Sequence, residues 1–369
     1  MKKNKVLSVL AALAIMITPL TGCSGAGSGE KPKNPMIMES SAEQSSVQPS
    51  ESASEPVSGD MSEPSLQPSA AVSEPSADVS QTSDTVESIT PSLWKAEDAN
   101  GNYVYLMGSI HMGDSSVNYM PDYVMDAYNA SDALAVEADI TTYLDEPEKA
   151  LSLMTTMRYD DGTTIKDHIS EETYNGAVER LTRSNQYSPM FDSFMPYMWQ
   201  ALLTNTHMDT SGLDAYHGVD YTFLKMAHNS GKNILEIESL QEQFDMFNSF
   251  SDELTDLIIS QLLDDNYGPV NSESEKQLYE AWKKGIIDKT LIDSLDIDNA
   301  DETSARLAQE YLDKILFNRN KTMTESIESY IASGQKVFVL VGALHYVGEG
   351  GILSLLEKDG YTVTALRRA

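Results

Sequence analysis

The stretch Val337-Phe338-Val339-Leu340-Val341-Gly342-Ala343-Leu344-His345 decides the fold. Five consecutive apolar residues, three of them β-branched, suit a strand, and the lack of polar alternation suits one buried on both faces. Such strands lie inside sheets that helices cover. Gly342 then allows a sharp turn, and His345 follows three residues later. Downstream, Ile352 to Lys358 reads as a short helix and Tyr361 to Leu366 as a last strand, which completes a β-α-β unit.

A second strand-like run, Tyr103-Val104-Tyr105-Leu106-Met107, ends at Gly108. Asn100-Gly101 just before it suits a turn, so 93–107 reads as a β-hairpin. Pro121 to Ser131 has the apolar spacing of a helix, through Val124, Ala127 and Tyr128, and Leu134 to Asp139 returns to a strand. Helical patterns dominate from about 145 to 330, with one stripe over Leu254, Leu257, Ile258 and Leu262 and another over Leu307, Tyr311 and Ile315. Only Ile234 to Ile237 interrupts them as a strand. Strands at both ends and helices between predict an α/β fold: one domain, 91–369, with a mixed sheet formed by N- and C-terminal strands and a helical middle insertion.

The chain before this domain has another texture. Lys2, Lys3 and Lys5 precede a short apolar run, Val6 to Ile17, which is the pattern of a secretory signal. A spanning helix needs roughly 20 apolar residues. Here the run gives way to Leu20-Thr21-Gly22-Cys23, which resembles the lipobox of bacterial lipoproteins. The expectation is cleavage after Gly22, lipid on Cys23, and a cell-membrane location on the extracytoplasmic face. An ordinary signal peptide is the alternative, but the chain's one cysteine stands at the predicted cut. With that cysteine used, no internal disulfide forms and the domain rests on its core. Between them, 23–90 is rich in Ser, Pro and Glu, with Ser-Glu-Pro recurring at Ser54, Ser62 and Ser73. A segment so poor in apolar residues cannot offset its ordering entropy, so a disordered tether with a reach of roughly 40 to 50 Å is expected. The formal net charge of −32 argues against nucleic acid as a partner, because binding phosphates draws on basic patches.

The sharpest internal signal is a repeated Gly-x-x-His, each copy placed beyond an apolar strand and followed shortly by glycine. The copies are Gly108-Ser109-Ile110-His111 with Gly113, and Gly342-Ala343-Leu344-His345 with Gly348. Open α/β sheets place ligand sites beyond the carboxyl ends of their strands, so both histidines share one rim if their strands run parallel. Carboxylates occupy the same kind of position. Alternation along the strand puts Glu137 and Asp139 on one face at its end, and Glu236 with Glu238 repeats the pattern. Buried acids need a cation or an arginine to offset their cost. Two neutral imidazoles and a carboxylate form a familiar ligand set for a divalent metal with an open position, which would make a hydrolase. His168, His207, His217 and His228 lack this context.

These residues, with Gly218-Val219-Asp220, Glu238 through Gln243, Arg319-Asn320 and the block from Val337 to Val363, make the chain similar to the TraB/GumN family over nearly all of 91–369. Relatives in that family include the Tiki proteins, membrane-tethered metalloproteases that trim secreted ligands. The resemblance implies a metal-dependent hydrolytic site without naming a substrate. Carried over by position, His111, His345 and Glu137 would hold Mn²⁺, Co²⁺ or Zn²⁺, with Glu137 as ligand or as general base. Glu238, Arg319 and Asn320 would complete the site, Arg319 clamping a substrate carboxylate or an oxyanion. The leading expectation is a peptidase acting on secreted or surface peptides. Its rivals are a non-catalytic peptide-binding lipoprotein and a metal-free, esterase-like hydrolase in which histidine is the base.

Overall fold

The structure is a computed structural model, and it describes residues 89–141, 146–287 and 300–366. Cys23, its signal sequence and the expected tether up to Ser88 lie outside the described residues. The domain's own contacts begin at Ile89, which is buried, and at Thr90, whose N–H donates to the Lys283 carbonyl at 2.6 Å. No helix among the described residues is long and apolar enough to cross a membrane.

Six strands form one sheet: β1 (Leu93–Glu97), β2 (Tyr103–Ser109), β3 (Ala133–Val136), β4 (Asn233–Glu236), β5 (Val337–Gly342) and β6 (Thr362–Ala365). Their order is β4-β3-β5-β2-β1-β6. The first four in that order run parallel, and β1 is antiparallel to both of its neighbours. The mixed sheet expected from the two ends of the chain is therefore present, with β5 at its centre. The five residues Val337 to Val341 are all buried. Burying an aliphatic or aromatic side chain of this size stabilises by about 1.5–3 kcal/mol, so a charge at Val339 would be enough to break the sheet's middle.

The hairpin turn is looser than a two-residue turn. Asp98 to Asn102 join β1 to β2, the Asp98 carboxylate accepts from the N–H groups of Asn100 and Asn102, and Gly101 takes φ +86°. Strand β3 stops at Val136, short of the expected Asp139, and this shortening matters for the site.

The helices are α1 (Asp122–Asn129), α2 (Pro147–Thr156), α3 (Glu171–Arg183), α4 (Pro196–Thr204), α5 (Val219–Ser230), α6 (Leu240–Asn248), α7 (Asp252–Gln261), α8 (Tyr267–Lys283), α9 (Glu302–Leu312), α10 (Asn318–Ser333) and α11 (Ile352–Lys358). One face of the sheet packs on α1, α5 and α8 through Val124, Phe223 and Trp282. The other packs on α10 and α11 through Met323, Ile327, Ile331, Ile352 and Leu356. A third cluster, joining α3, α4, α6, α7 and α9 with Leu344, forms the helical insertion and places it against the carboxyl rim of the parallel strands.

Arg319 and Asn320 lie in the first turn of a helix that continues the stripe of Leu307, Tyr311 and Ile315. Helix α9 runs into a π-turn over Asp313–Phe317 and continues as α10. The extra residue of a π-turn rotates the following face, a device common at functional sites. Here it aims Arg319 and Asn320, both buried, at the strand ends.

Candidate active site at the carboxyl rim

The rim collects one residue from just beyond each parallel strand: His111 after β2, Glu137 after β3, Glu238 after β4 and His345 after β5. Strands β2 and β5 are adjacent and in register, with Gly108 opposite Val341 and Ser109 opposite Gly342. The two Gly-x-x-His motifs therefore touch. A Cβ on Gly108 would lie 2.8 Å from the Ala343 Cα, so the glycine is what lets the second motif fold over the first. Trp282 of α8 closes this end by donating its indole N–H to the Gly108 carbonyl at 2.8 Å.

Glu137 is the hub. Its Oε1 accepts from the Gly342 N–H at 2.7 Å and lies 3.6 Å from His345 Nε2. Its Oε2 accepts from Arg319 Nη2 at 2.6 Å and from the Gln243 amide at 3.2 Å. Arg319 also grips Glu238, through Nη2 at 2.7 Å and Nε at 2.9 Å, and Nη1 donates to the Ile315 carbonyl in the π-turn. Four of its five donors are thus engaged by the protein's own glutamates and backbone. Gln243 reaches both acids because a capping box between Ser239 and Glu242 starts α6 directly after Glu238. Burial opposes charge on Glu137, yet Arg319, the two imidazoles and the Gly342 N–H outweigh it and hold the carboxyl well below the usual carboxylate range.

Each histidine has its Nδ1 spoken for. His345 Nδ1 lies 2.6 Å from Asn320 Oδ1, and the Asn320 amide nitrogen donates to the Gly350 carbonyl at 2.7 Å. That second bond fixes the amide, so the imidazole is the donor and the neutral ring keeps a lone pair on Nε2. His111 Nδ1 lies 2.7 Å from Asp220 Oδ2, again an acceptor, so Nδ1 carries a proton there too. Burial and the nearby Arg319 push the proton affinity of His345 down to about 3, so it is neutral at physiological pH. Burial pulls His111 the same way, but the Asp220 carboxylate overrides it and raises the affinity above the ordinary value.

The expected pairing of Glu137 with Asp139 does not occur. Because β3 ends at Val136, strand alternation no longer governs these residues. Asp139 turns away to accept from the Thr141 hydroxyl at 2.6 Å and meets His228 Nε2 at 2.7 Å. Glu236 caps the Asp139 N–H instead of facing the site with Glu238. Asp220 and Gln243 are the site residues that sequence reasoning gave no role, although Gly218-Val219-Asp220 and the Glu238-to-Gln243 block stand out as family-like. The signal for Asp220 was its place in the first turn of α5, whose Val219 N–H docks on the Ile110 carbonyl beside His111.

The model of the TraB/PrgY/gumN family matches residues 92–365. The chain belongs to the TraB/PrgY/gumN family. Within this family's reach, the uncharacterized protein YbaP of Escherichia coli (strain K12) is 27% identical over 269 residues, or 72% of this chain and 92% of YbaP. YbaP of Shigella flexneri matches to the same extent. The metalloprotease TIKI homolog of Amphimedon queenslandica is 26% identical over 160 residues, 38% of this chain and 31% of that protein. No solved structure matches the chain.

Whether a metal suits this TraB/PrgY/gumN site can be judged from its donors. Their chemistry fits: a neutral Nε2 faces a charged carboxylate oxygen at 3.6 Å, two acceptors with no proton of their own between them, and His111 offers a second nitrogen. Their spacing is wider than a ligand set requires, since among the described residues no three His, Cys, Asp or Glu side chains are grouped closely enough to hold a metal ion.

Proposed function

We propose that this chain is a membrane-anchored, extracytoplasmic hydrolase that cleaves peptide bonds at the rim shared by His111, Glu137 and His345. The observation that carries the reading is the pair of fixed tautomers. Both Nδ1 atoms are spent on internal acceptors, which orients both rings, and His345 Nε2 lies 3.6 Å from the carboxylate that Arg319 keeps charged. Backing of this kind orients imidazoles as metal ligands. Similarity to a protein named as a metalloprotease supports the same chemistry.

In this reading His111, His345 and Glu137 hold Mn²⁺, Co²⁺ or Zn²⁺. Such an ion would lower the pKa of a bound water and polarise the scissile carbonyl. A carboxylate as acidic as Glu137 is a poor proton acceptor near pH 7, which favours the role of ligand over that of base. Asp220 and Asn320 orient the two rings, and Arg319 keeps Glu137 and Glu238 ionised and in place. The lysine-led apolar start and the Leu20-Thr21-Gly22-Cys23 box support lipid anchoring at Cys23, and the Ser/Pro/Glu-rich 23–90 supports a tether that keeps the domain near secreted or surface peptides.

One further reading has an observation of its own. The lack, among the described residues, of three such side chains close enough to hold a metal ion and the raised proton affinity of His111 against Asp220 also suit a metal-free hydrolase with His111 as general base. Metal analysis and peptide cleavage by the purified chain separate the two. The metal reading expects bound metal in the wild type, loss of it in His345→Ala, and activity that chelation removes and metal restores. Activity that survives chelation but vanishes in His111→Ala selects the metal-free version. Peptide affinity without any cleavage product would leave a binding protein.

A further inference from the structure

Ser109, inside the first Gly-x-x-His motif, has no role in the arrangement above. It is only 2% exposed, and its hydroxyl has no hydrogen-bond partner among the described residues. A buried hydroxyl without a partner costs about 1–3 kcal/mol, a cost that a purely structural position would shed by becoming alanine. Its direction follows from the sheet. Ser109 is paired with Gly342 across the parallel β2–β5 ladder, and paired residues project from the same face. The place where a Gly342 side chain would begin lies 3.2 Å from Glu137 Oε1 and 3.9 Å from His345 Nε2. Ser109 therefore projects from the face of the sheet against which Glu137 and His345 close at Gly342.

The chemistry of the site gives this hydroxyl a task. Hydrolysis of an acyl bond builds negative charge on the carbonyl oxygen, and that oxygen needs a donor. Arg319 is engaged by Glu137, Glu238 and the Ile315 carbonyl, and the Gly342 N–H is engaged by Glu137. We infer that Ser109 is a catalytic residue whose Oγ–H donates to the carbonyl oxygen of the bound substrate, a bond that strengthens as the tetrahedral oxyanion forms. No proton is transferred and no bond to Ser109 forms; water remains the nucleophile.

This inference rests on the hydrolase reading, and its test keeps the two apart. Cleavage kinetics and thermal unfolding are measured for wild type, Ser109→Ala and Ser109→Thr. The expected result is that Ser109→Ala lowers kcat by about 10- to 100-fold with KM changed less than threefold. Its Tm equals or exceeds that of the wild type, because an unpartnered hydroxyl is gone. Ser109→Thr, which keeps the donor, retains more activity than the alanine variant. Binding of a phosphonamidate peptide, whose tetrahedral oxygens mimic the oxyanion, should weaken by a similar factor in Ser109→Ala. An active wild type with an equally active Ser109→Ala overturns the role of Ser109 and leaves the hydrolase reading standing. A lowered Tm with kcat unchanged shows a structural serine and overturns it too. A wild type that neither cleaves peptides nor binds the phosphonamidate overturns both.

Discussion

Asp220 Oδ2 lies 2.7 Å from His111 Nδ1 and gives that ring a charged support where His345 has the neutral amide of Asn320. The two imidazoles at one rim are thereby tuned in opposite directions, His111 upward and His345 downward. Exchanging the supports should exchange the tuning. Asp220→Asn should drop the His111 pKa below its ordinary value, because burial is then unopposed by its nearest carboxylate. Asn320→Asp should raise that of His345. Imidazole resonances followed by NMR titration of metal-free protein would show both shifts, and unchanged midpoints would refute the assignment of these supports.

Among the described residues Arg319 alone pairs with both Glu137 and Glu238, and all three groups are buried or nearly so. Arg319→Met should destabilise the domain by about 3–5 kcal/mol at pH 7, since it leaves two carboxylates unpaired out of water. The loss should shrink as pH falls. Without the arginine, burial raises the folded-state pKa of Glu137 above its unfolded value, so the carboxyl takes up its proton more readily in the folded variant. Urea denaturation at pH 7 and pH 5 tests this: a penalty independent of pH would mean that packing by the guanidinium, rather than its charge, is what was lost.

Much of this was legible from sequence because the signals were local. The apolar run of β5, the two Gly-x-x-His motifs and Glu137 at a strand end each announce themselves within ten residues, and parallel pairing of β2 with β5 then forces the histidines together. The partners were not local. Asp220 reaches His111 across 109 positions and Gln243 reaches Glu137 across 106, so only the packing of α5 and α6 on the rim reveals them. Period-two alternation misled at Asp139 because the strand had already ended. The π-turn before Arg319 leaves no trace in helical spacing, since it shifts a register instead of breaking a helix.

His345 should leave a signature in acid stability. Its folded-state pKa of about 3 lies below the ordinary value near 6.5. Between those values the unfolded chain binds a proton that the folded chain refuses, so stability falls as pH falls, by up to about 1.4 kcal/mol per pH unit. The contribution is fully present above about pH 6.5 and is lost progressively toward pH 3. Metal-free His345→Gln should show a shallower decline between pH 6.5 and 4.5, where most carboxylates have yet to titrate. An identical slope in both proteins would place the neutral imidazole's burial in doubt.

The glycines that open the two motifs should fail differently when replaced by alanine. At Gly108 the new Cβ would meet the Ala343 Cα at 2.8 Å, a backbone atom with nowhere to go, so the second motif must lift from the first. Overpacking of that kind costs about 1–3 kcal/mol, and Gly108→Ala should lose stability and activity together. At Gly342 the backbone is ordinary, with φ −49° and ψ 136°, so alanine brings no conformational strain. Its Cβ would instead press on Glu137 Oε1 at 3.2 Å and His345 Cδ2 at 3.4 Å, side-chain atoms that can give by a few tenths of an ångström. Gly342→Ala should therefore keep its stability within about 1 kcal/mol while displacing the carboxylate and imidazole from their working geometry. A shift of that size at the reacting centre is enough to cost tenfold or more in kcat. Paired thermal unfolding and cleavage assays on the two variants decide the point, and equal destabilisation of both would mean that Gly342 serves the fold and not the site.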